Sequence, residues 1–265
     1  MWSQLDWASR AETYNNFFAH QTVEPSVLKV PQRHYVINLK RRPERLKKFN
    51  EEALKTGFQI KPYEATDGKN ANIPHEFSGG PGAFGCKMSH VNVLEECLKD
   101  GIECVGVYED DCIFAPDFEK RLTQFLTDVP DDWQALFLGG EHLSKPEQAG
   151  NVFRAVKCHR THAYWARGGY IKTLCEVFKS SNYHIDWAWA GVQCEHRVYT
   201  PAKWMVTQSA GYSDIHLTEG EATFLPSLEE RAAPMNNSEC GCKKPAEVRK
   251  LIRSNQASSP RPKQR

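Results

Sequence analysis

Long apolar runs are missing from this sequence of 265 residues. No stretch of about 18 consecutive apolar residues occurs, which argues against a membrane-spanning helix. The first twenty residues also lack the apolar core of a signal peptide, so we expect the mature protein in the cytoplasm.

Closely spaced cysteine pairs are scarce as well. The nine cysteines are scattered, and only Cys240 and Cys242 lie near each other. An odd count without a signal peptide favours reduced thiols. A lone C-x-C pair is weak evidence for structural zinc, which needs about four ligands.

Charge is nearly balanced but unevenly distributed. Between Lys243 and Arg265, eight Lys and Arg residues against one Glu give +7, so residues 1–242 carry −6 of the net +1. This basic tail lacks apolar mass and is predicted to be disordered. It is either a solubilising tail or a peripheral contact for an anionic membrane. We divide the chain into a lead-in (1–30), a catalytic domain (31–225) and the tail (226–265).

Strand-like and helix-like patterns alternate along the central part of the chain. Apolar runs predict strands, and apolar residues at helical spacing predict the helices between them. The strands are expected at 34–39, 58–64, 104–108, 135–138, 162–166 and 195–199, and the helices at 41–55, 85–99, 116–127, 168–178 and from 186. This alternation predicts an α/β fold with a mostly parallel central sheet flanked by helices. Ligands of such sheets bind beyond the carboxyl ends of the strands.

Three consecutive acidic residues follow the buried run at 104–108, namely Glu109, Asp110 and Asp111. Like charges this close resist ionisation unless a cation compensates them. Mg²⁺ or Mn²⁺ could do so, because both take carboxylate and phosphate oxygens as ligands. The alternative is a solvated turn with helix-capping aspartates.

Several motifs, in order, resemble glycosyltransferase family 25. They are Val36-Ile-Asn-Leu-Lys-Arg-Arg-Pro-Glu-Arg45, Ala65-Thr-Asp-Gly68, Gly85-Cys-Lys-Met-Ser-His90, Tyr108-Glu-Asp-Asp111, Thr161-His-Ala-Tyr164, Asp186, and the closing residues Pro201, Gln208 and Ser213-Asp-Ile215. The resemblance spans about residues 34–216. That family includes lipooligosaccharide and procollagen galactosyltransferases.

The resemblance implies a single GT-A-like domain and an inverting transfer of a hexose, galactose or glucose, from a UDP-sugar. The acceptor would be a hydroxyl on a glycan or a hydroxylated protein, and we expect no nucleic-acid partner. The acidic triplet would be the metal motif, with Mn²⁺ or Mg²⁺ on Asp111 and Asp110. His216 is a further candidate ligand, because many GT-A enzymes use a late histidine; the alternative is a surface histidine.

Donor-binding candidates lie in three segments. The loop after the first strand supplies Asn38, Leu39, Arg41 and Arg45, of which the arginines suit a diphosphate. The other candidates are Asp67, Gly85, Ser89, His90, Glu109 and Asp110. The alternatives are exposed helix charges for the arginines, a turn residue for Asp67, and a packing or capping role for His90.

Asp186 is the candidate catalytic base. It precedes a predicted helix beside Trp187 and Trp189, whose indoles could form an acceptor platform, whereas the alternative is a simple helix cap. His162 and Tyr164 are expected to shape the pocket.

Two other function classes stay open: an inactive relative that binds a nucleotide sugar or glycan, and a metal-dependent phosphohydrolase.

Overall fold

The computed structural model describes residues 29–212 and the short strand Glu219–Gly220. Most of the predicted lead-in, His216 and the basic tail lie outside the described residues, so the predictions about them stay predictions. Within the described residues, no helix is long and apolar enough to cross a membrane.

The described segment contains twelve strands and five α-helices. The strands are β1 (Arg33–Asn38), β2 (Ile60–Glu64), β3 (Cys104–Glu109), β4 (Cys112–Phe114), β5 (Ala135–His142), β6 (Glu147–Ala149), β7 (Val152–Arg154), β8 (Cys158–Arg167), β9 (Val198–Thr200), β10 (Val206–Gln208), β11 (Gly211–Tyr212) and β12 (Glu219–Gly220). The helices are α1 (Pro43–Ala53), α2 (Gly80–Lys99), α3 (Phe118–Asp128), α4 (Tyr170–Ser180) and α5 (Ile185–Ala190).

Eight of these strands form one sheet in the order β2-β1-β3-β8-β5-β9-β7-β6. β2, β1 and β3 are parallel neighbours, as are β5 and β9. β8 lies antiparallel between β3 and β5, and β7 is antiparallel to β9 and β6. The predicted α/β class is therefore confirmed, but the sheet is mixed rather than mostly parallel. An apolar run shows that a strand is buried and does not show its direction.

Two apolar layers cover the two faces of the sheet. One contains residues of α2 and α4, such as Val91 and Leu174, packed on β1, β3, β5 and β8. The other contains residues of α1 and α3, such as Phe49 and Phe125. Burial on both faces explains why β1 and β3 read as nearly continuous apolar runs.

Several boundaries and elements differ from the sequence prediction. Helix α2 begins at Gly80, five residues before the predicted start, because the Gly-Pro-Gly segment that looked like a loop forms the first turn; proline is well tolerated there. The polar stretch 141–157 contains the hairpin of β6 and β7. These strands are three residues long and partly exposed, so they leave no apolar run in the sequence.

A buried histidine links β1 to the neighbouring strands. The Trp165 indole donates to the Tyr108 hydroxyl (2.9 Å), and that hydroxyl lies 3.3 Å from His34 Nδ1. The His34 ring stacks on Phe58 at 4.3 Å between centroids. Burial lowers the pKa of His34 to about 4. The ring is therefore neutral at pH 7.

This histidine should make folding sensitive to acid. Its folded-state pKa lies below the unfolded value of about 6.5, so the unfolded chain takes up the proton first and stability is lost as the pH falls from about 6.5 to 4. The loss should reach about 3 kcal/mol. We expect His34→Gln to show a smaller drop in unfolding free energy between pH 7 and pH 4.5, measured by urea denaturation.

Burial also lowers the pKa values of His162 and His196 to about 4. Both histidines are present in the wild-type protein and in His34→Gln, so they contribute the same acid sensitivity to each. An equal drop in both proteins would contradict the assignment to His34.

Candidate active site

A cavity of about 1120 Å³ opens where β1 and β3 end and β8 begins. Its wall comes from separate parts of the chain: the β1–α1 connection, the turn at Ala65–Lys69, the start of α2, the acidic triplet and the segment around Asp186. Most predicted donor residues line it: Leu39, Arg41, Arg45, Asp67, Gly85, Ser89, His90, Glu109 and Asp110. Asp111, Asp186 and Trp187 line it as well.

Asp110 is held by the β1–α1 segment. Its carboxylate accepts from the Asn38 amide at 2.6 Å and pairs with Arg45 at 2.5 Å. The Asn38 amide also donates to the Arg42 carbonyl. Asn38 is not part of the cavity wall; it acts beneath it by positioning Asp110. The structure gives Asn38 this positioning contact, and its predicted contact with the donor stays a prediction.

Asp111 has a carboxylate oxygen that is available for coordination. Its Oδ2 lies 3.2 Å from both Arg45 and Gln208. Its Oδ1 is buried and has no hydrogen-bond partner among the residues that the structure describes. Burial and the neighbouring Glu109 charge raise the pKa of Asp111 to about 7. An orphaned buried carboxylate oxygen of this kind suits a hard cation.

Glu109 turns to a different side of the cavity. Its Oε1 lies 3.3 Å from His90 Nε2 and accepts from the Thr161 hydroxyl at 3.0 Å. Burial alone would raise the pKa of Glu109, but the hydrogen bonds and the histidine neighbours outweigh burial and lower it. Protein groups thus compensate much of the triplet's charge: Arg45 and Asn38 on one side, His90 and Thr161 on the other.

The turn Ala65–Gly68 packs closely against the first turns of α2. A Cβ on Gly68 would lie 1.7 Å from the Pro81 carbonyl oxygen, and one on Gly85 would lie 2.5 Å from that of Thr66. Ser89 accepts from the Thr66 backbone N–H at 2.9 Å. Gly68 and Gly85 therefore let two backbone segments approach, and Ser89 joins them by its hydrogen bond. Arg41 pairs with Asp67 at 2.7 Å and lowers its pKa through that hydrogen bond.

Asp186, in the first turn of α5, lines the same cavity. One carboxylate oxygen accepts from the Trp187 backbone N–H at 2.8 Å, and the other lies 3.8 Å from His159 Nδ1. The Asp186 side chain is 26% exposed to solvent. Trp187 is 43% exposed and meets His159 edge to face at 4.0 Å. The carboxylate is thus oriented by its neighbours and still reachable.

Three predicted pocket residues lie outside the wall. Trp189 is fully buried, stacks on Phe137 and donates to Tyr170, so it belongs to the core. Tyr164 is equally buried and contacts His90 Nδ1 at 3.1 Å. His162 is packed beside Gly139 and the Val206 backbone. Sequence position alone could not show this, because neighbouring residues of a strand or short helix point in different directions.

Arg160 is a wall residue that the sequence did not reveal. Among the described residues it is the only non-glycine with positive φ (74°). Its guanidinium donates to Gln208 at 2.9 Å and lies 3.4 Å from Glu141. Because Gln208 in turn contacts Asp111, Arg160 helps to position that carboxylate. Strained backbone of this kind concentrates at functional sites.

Further wall residues were also missed: Lys48, Lys69, Cys86 and Thr161. A signal existed for Lys48, which lies one helical turn after Arg45 and so shares its face of α1. Cys86 and Thr161 were inside quoted motifs, but nothing in their spacing pointed to the cavity.

The chain belongs to glycosyltransferase family 25. The model of this family, described as "Glycosyltransferase family 25 (LPS biosynthesis protein)", matches residues 32–185. This confirms the resemblance inferred from the motifs.

Curated relatives agree with that membership. Procollagen galactosyltransferase 2 of Mus musculus is 28% identical over 182 residues, covering 56% of this chain and 29% of that protein. A glycosyltransferase 25 family member of Aedes aegypti is 28% identical over 51% of this chain and 25% of its own length. A relative from Rattus norvegicus, named a probable inactive family member 3, is 28% identical over 43% of this chain and 23% of its own length. The chain thus matches less than a third of the length of these relatives.

Among solved structures, the chain is similar to a glycosyltransferase involved in the glycosylation of the major capsid of PBCV-1. The TM-score is 0.34 and the identity 10%, over 55% of this chain and 64% of that one. A TM-score of this size supports no argument about function.

Breaking the Arg45–Asp110 pair should destabilise the protein. Arg45→Gln leaves the Asp110 carboxylate buried without its cation, so we expect the unfolding free energy to fall by about 3 kcal/mol. Urea denaturation at pH 7 measures it, and Lys47→Gln, an exposed charge on the same helix, is the control with an expected change below about 0.5 kcal/mol.

Adding Asp110→Asn to Arg45→Gln should restore part of the loss, because it removes the buried charge that Arg45 neutralises. Equal stabilities of Arg45→Gln and Lys47→Gln would show that the pair does not hold the triplet.

Proposed function

We propose that the chain transfers galactose or glucose from a UDP-sugar to a hydroxyl of a glycan or protein, with inversion at the sugar carbon. One observation carries the proposal: basic side chains, an oriented acidic cluster and a separate, accessible carboxylate line one cavity. Family membership supports a nucleotide-sugar donor. The galactosyltransferase name of the mouse relative supports a hexose.

The donor side of the cavity is the wall around Asp111. Arg41, Arg45, Lys48 and Lys69 supply positive charge to attract a diphosphate. The orphaned Oδ1 of Asp111 fits a divalent cation, whereas both Asp110 oxygens are engaged by protein groups. Mn²⁺ or Mg²⁺ held there would neutralise the charge that develops on the departing diphosphate.

The acceptor side is the wall around Asp186. A single displacement with inversion needs a base that removes the proton of the attacking hydroxyl. Asp186 suits this role, because a backbone N–H and His159 orient its carboxylate while part of it stays exposed. The half-exposed Trp187 offers a ring on which an acceptor sugar can stack.

UDP release provides the direct test. Incubation with Mn²⁺ and a panel of nucleotide sugars, with and without glycan or peptide acceptors, should yield UDP from one UDP-hexose. Asp111→Asn should abolish that release, because it removes the proposed cation ligand. If the protein binds no nucleotide sugar, the proposal is wrong. If it hydrolyses simple phosphate esters as fast as it releases UDP, it is a phosphohydrolase.

If Asp186 is the base, its replacement should lower turnover without changing the affinity for UDP. Asp186→Asn should lower kcat by about 10²–10⁴-fold, the range for loss of a general base, with UDP affinity unchanged in calorimetry. Asp132→Asn, an exposed aspartate outside the cavity wall, is the control and should retain full turnover. If Asp186→Asn retains full turnover, the base is another residue.

An inactive relative is the second candidate, favoured by the rat protein named as probably inactive. It predicts nucleotide-sugar binding with no UDP release under any acceptor, so the same two measurements separate the candidates.

A further inference from the structure

A second cluster of potential ligands lies in the cavity wall, on the side to which Glu109 turns. Cys86 and His90 are four residues apart on α2 and so share one helix face. The Cys86 sulfur, a His90 ring nitrogen and a Glu109 oxygen lie within 4.8 Å of one another. All three residues line the cavity.

The donor set differs from that around Asp111. A sulfur, an imidazole nitrogen and one carboxylate oxygen favour a borderline-soft ion such as Zn²⁺, whereas Mg²⁺ and Mn²⁺ prefer oxygen alone. Ligand atoms of a tetrahedral zinc lie roughly 3.5 Å apart, given bond lengths of about 2.0–2.3 Å. The observed spacing needs only small side-chain movements to reach that geometry. Three protein ligands would leave the fourth position of a tetrahedral ion to a further ligand.

The surrounding contacts already orient the ligands. The Tyr164 hydroxyl lies 3.1 Å from His90 Nδ1, which leaves Nε2 facing Glu109 at 3.3 Å. Tyr164 is fully buried, so its position is set by the core. With an ion on Nε2, Nδ1–H would donate to the Tyr164 oxygen, the outer contact that ligating histidines normally make. Thr161 fixes the Glu109 carboxylate in the same way.

We propose that Cys86, His90 and Glu109 form a binding site for a divalent ion of the zinc class, distinct from the cation position at Asp111. Binding forms a metal–sulfur bond and releases the Cys86 thiol proton to solvent. The site does not depend on the proposed sugar transfer, since it needs only these three side chains and the Tyr164 and Thr161 contacts.

Cobalt is the probe that tests this site. Co²⁺ added to the chelator-treated full chain should produce a thiolate-to-cobalt absorption band, and Zn²⁺ should displace it. Cys86→Ser should remove the band. Tyr164→Phe should keep it but weaken Co²⁺ binding by about tenfold or more, because it removes the outer contact of His90.

Two controls separate this site from others in the chain. The double change Cys240→Ser and Cys242→Ser should leave the band intact, which rules out the C-x-C pair outside the described residues. Asp111→Asn should also leave it intact, which separates it from the proposed donor cation. These results are independent of any UDP release, so this proposal and the proposed function can fail separately.

The absence of a band, its survival in Cys86→Ser, or its loss in the Cys240/Cys242 variant would overturn the proposal. Melting temperatures check that each variant is folded. If Cys86→Ser does not fold, Glu109→Gln replaces it. That variant should keep the sulfur band with Co²⁺ affinity at least about tenfold lower, and unchanged affinity would count against the site.

Discussion

Buried negative charge at the end of β3 is the constraint on which the rest of the site depends. Three carboxylates in a row cannot all be ionised in a poorly solvated wall without compensation. The fold supplies that compensation from two directions: Arg45 and Asn38 from the β1–α1 segment, and His90 from α2. The parallel pairing of β1 with β3 brings the first of these to Asp110, because their carboxyl ends meet at one edge of the sheet.

This division gives the triplet members different capacities. Asp110 is saturated by protein partners and acts as an anchor between β3 and β1. Asp111 keeps an unpartnered oxygen within the described structure, and Glu109 joins a histidine and a cysteine on the other side. One acidic motif thus faces two chemically different surroundings: Arg45 and Gln208 beside Asp111, and a cysteine and a histidine beside Glu109. Metal binding at either place is a proposal, whereas the contacts that create these surroundings belong to the fold.

Local patterns predicted the elements well where burial was strong. β1, β3 and β5 are apolar runs, and the amphipathic helices follow at helical spacing. The motifs at Ala65–Gly68 and Gly85–His90 were identified, but their first role is steric: Gly68 and Gly85 let a turn and a helix touch. Short, half-exposed strands such as β6 and β7 left no pattern, because a three-residue strand needs no apolar run.

The sequence by itself determined the family, the α/β class and a minority of the side chains that line the cavity, since these follow from motifs and from the periodicity of burial. Only the tertiary structure decided which of those side chains face the cavity. Trp187 lies in the wall while Trp189 lies in the core, two residues apart on one short helix. It also decided the direction of β8, the strained backbone of Arg160 and the meeting of Cys86 with Glu109. These depend on contacts between segments far apart in the chain, and local residue patterns carry no record of such contacts.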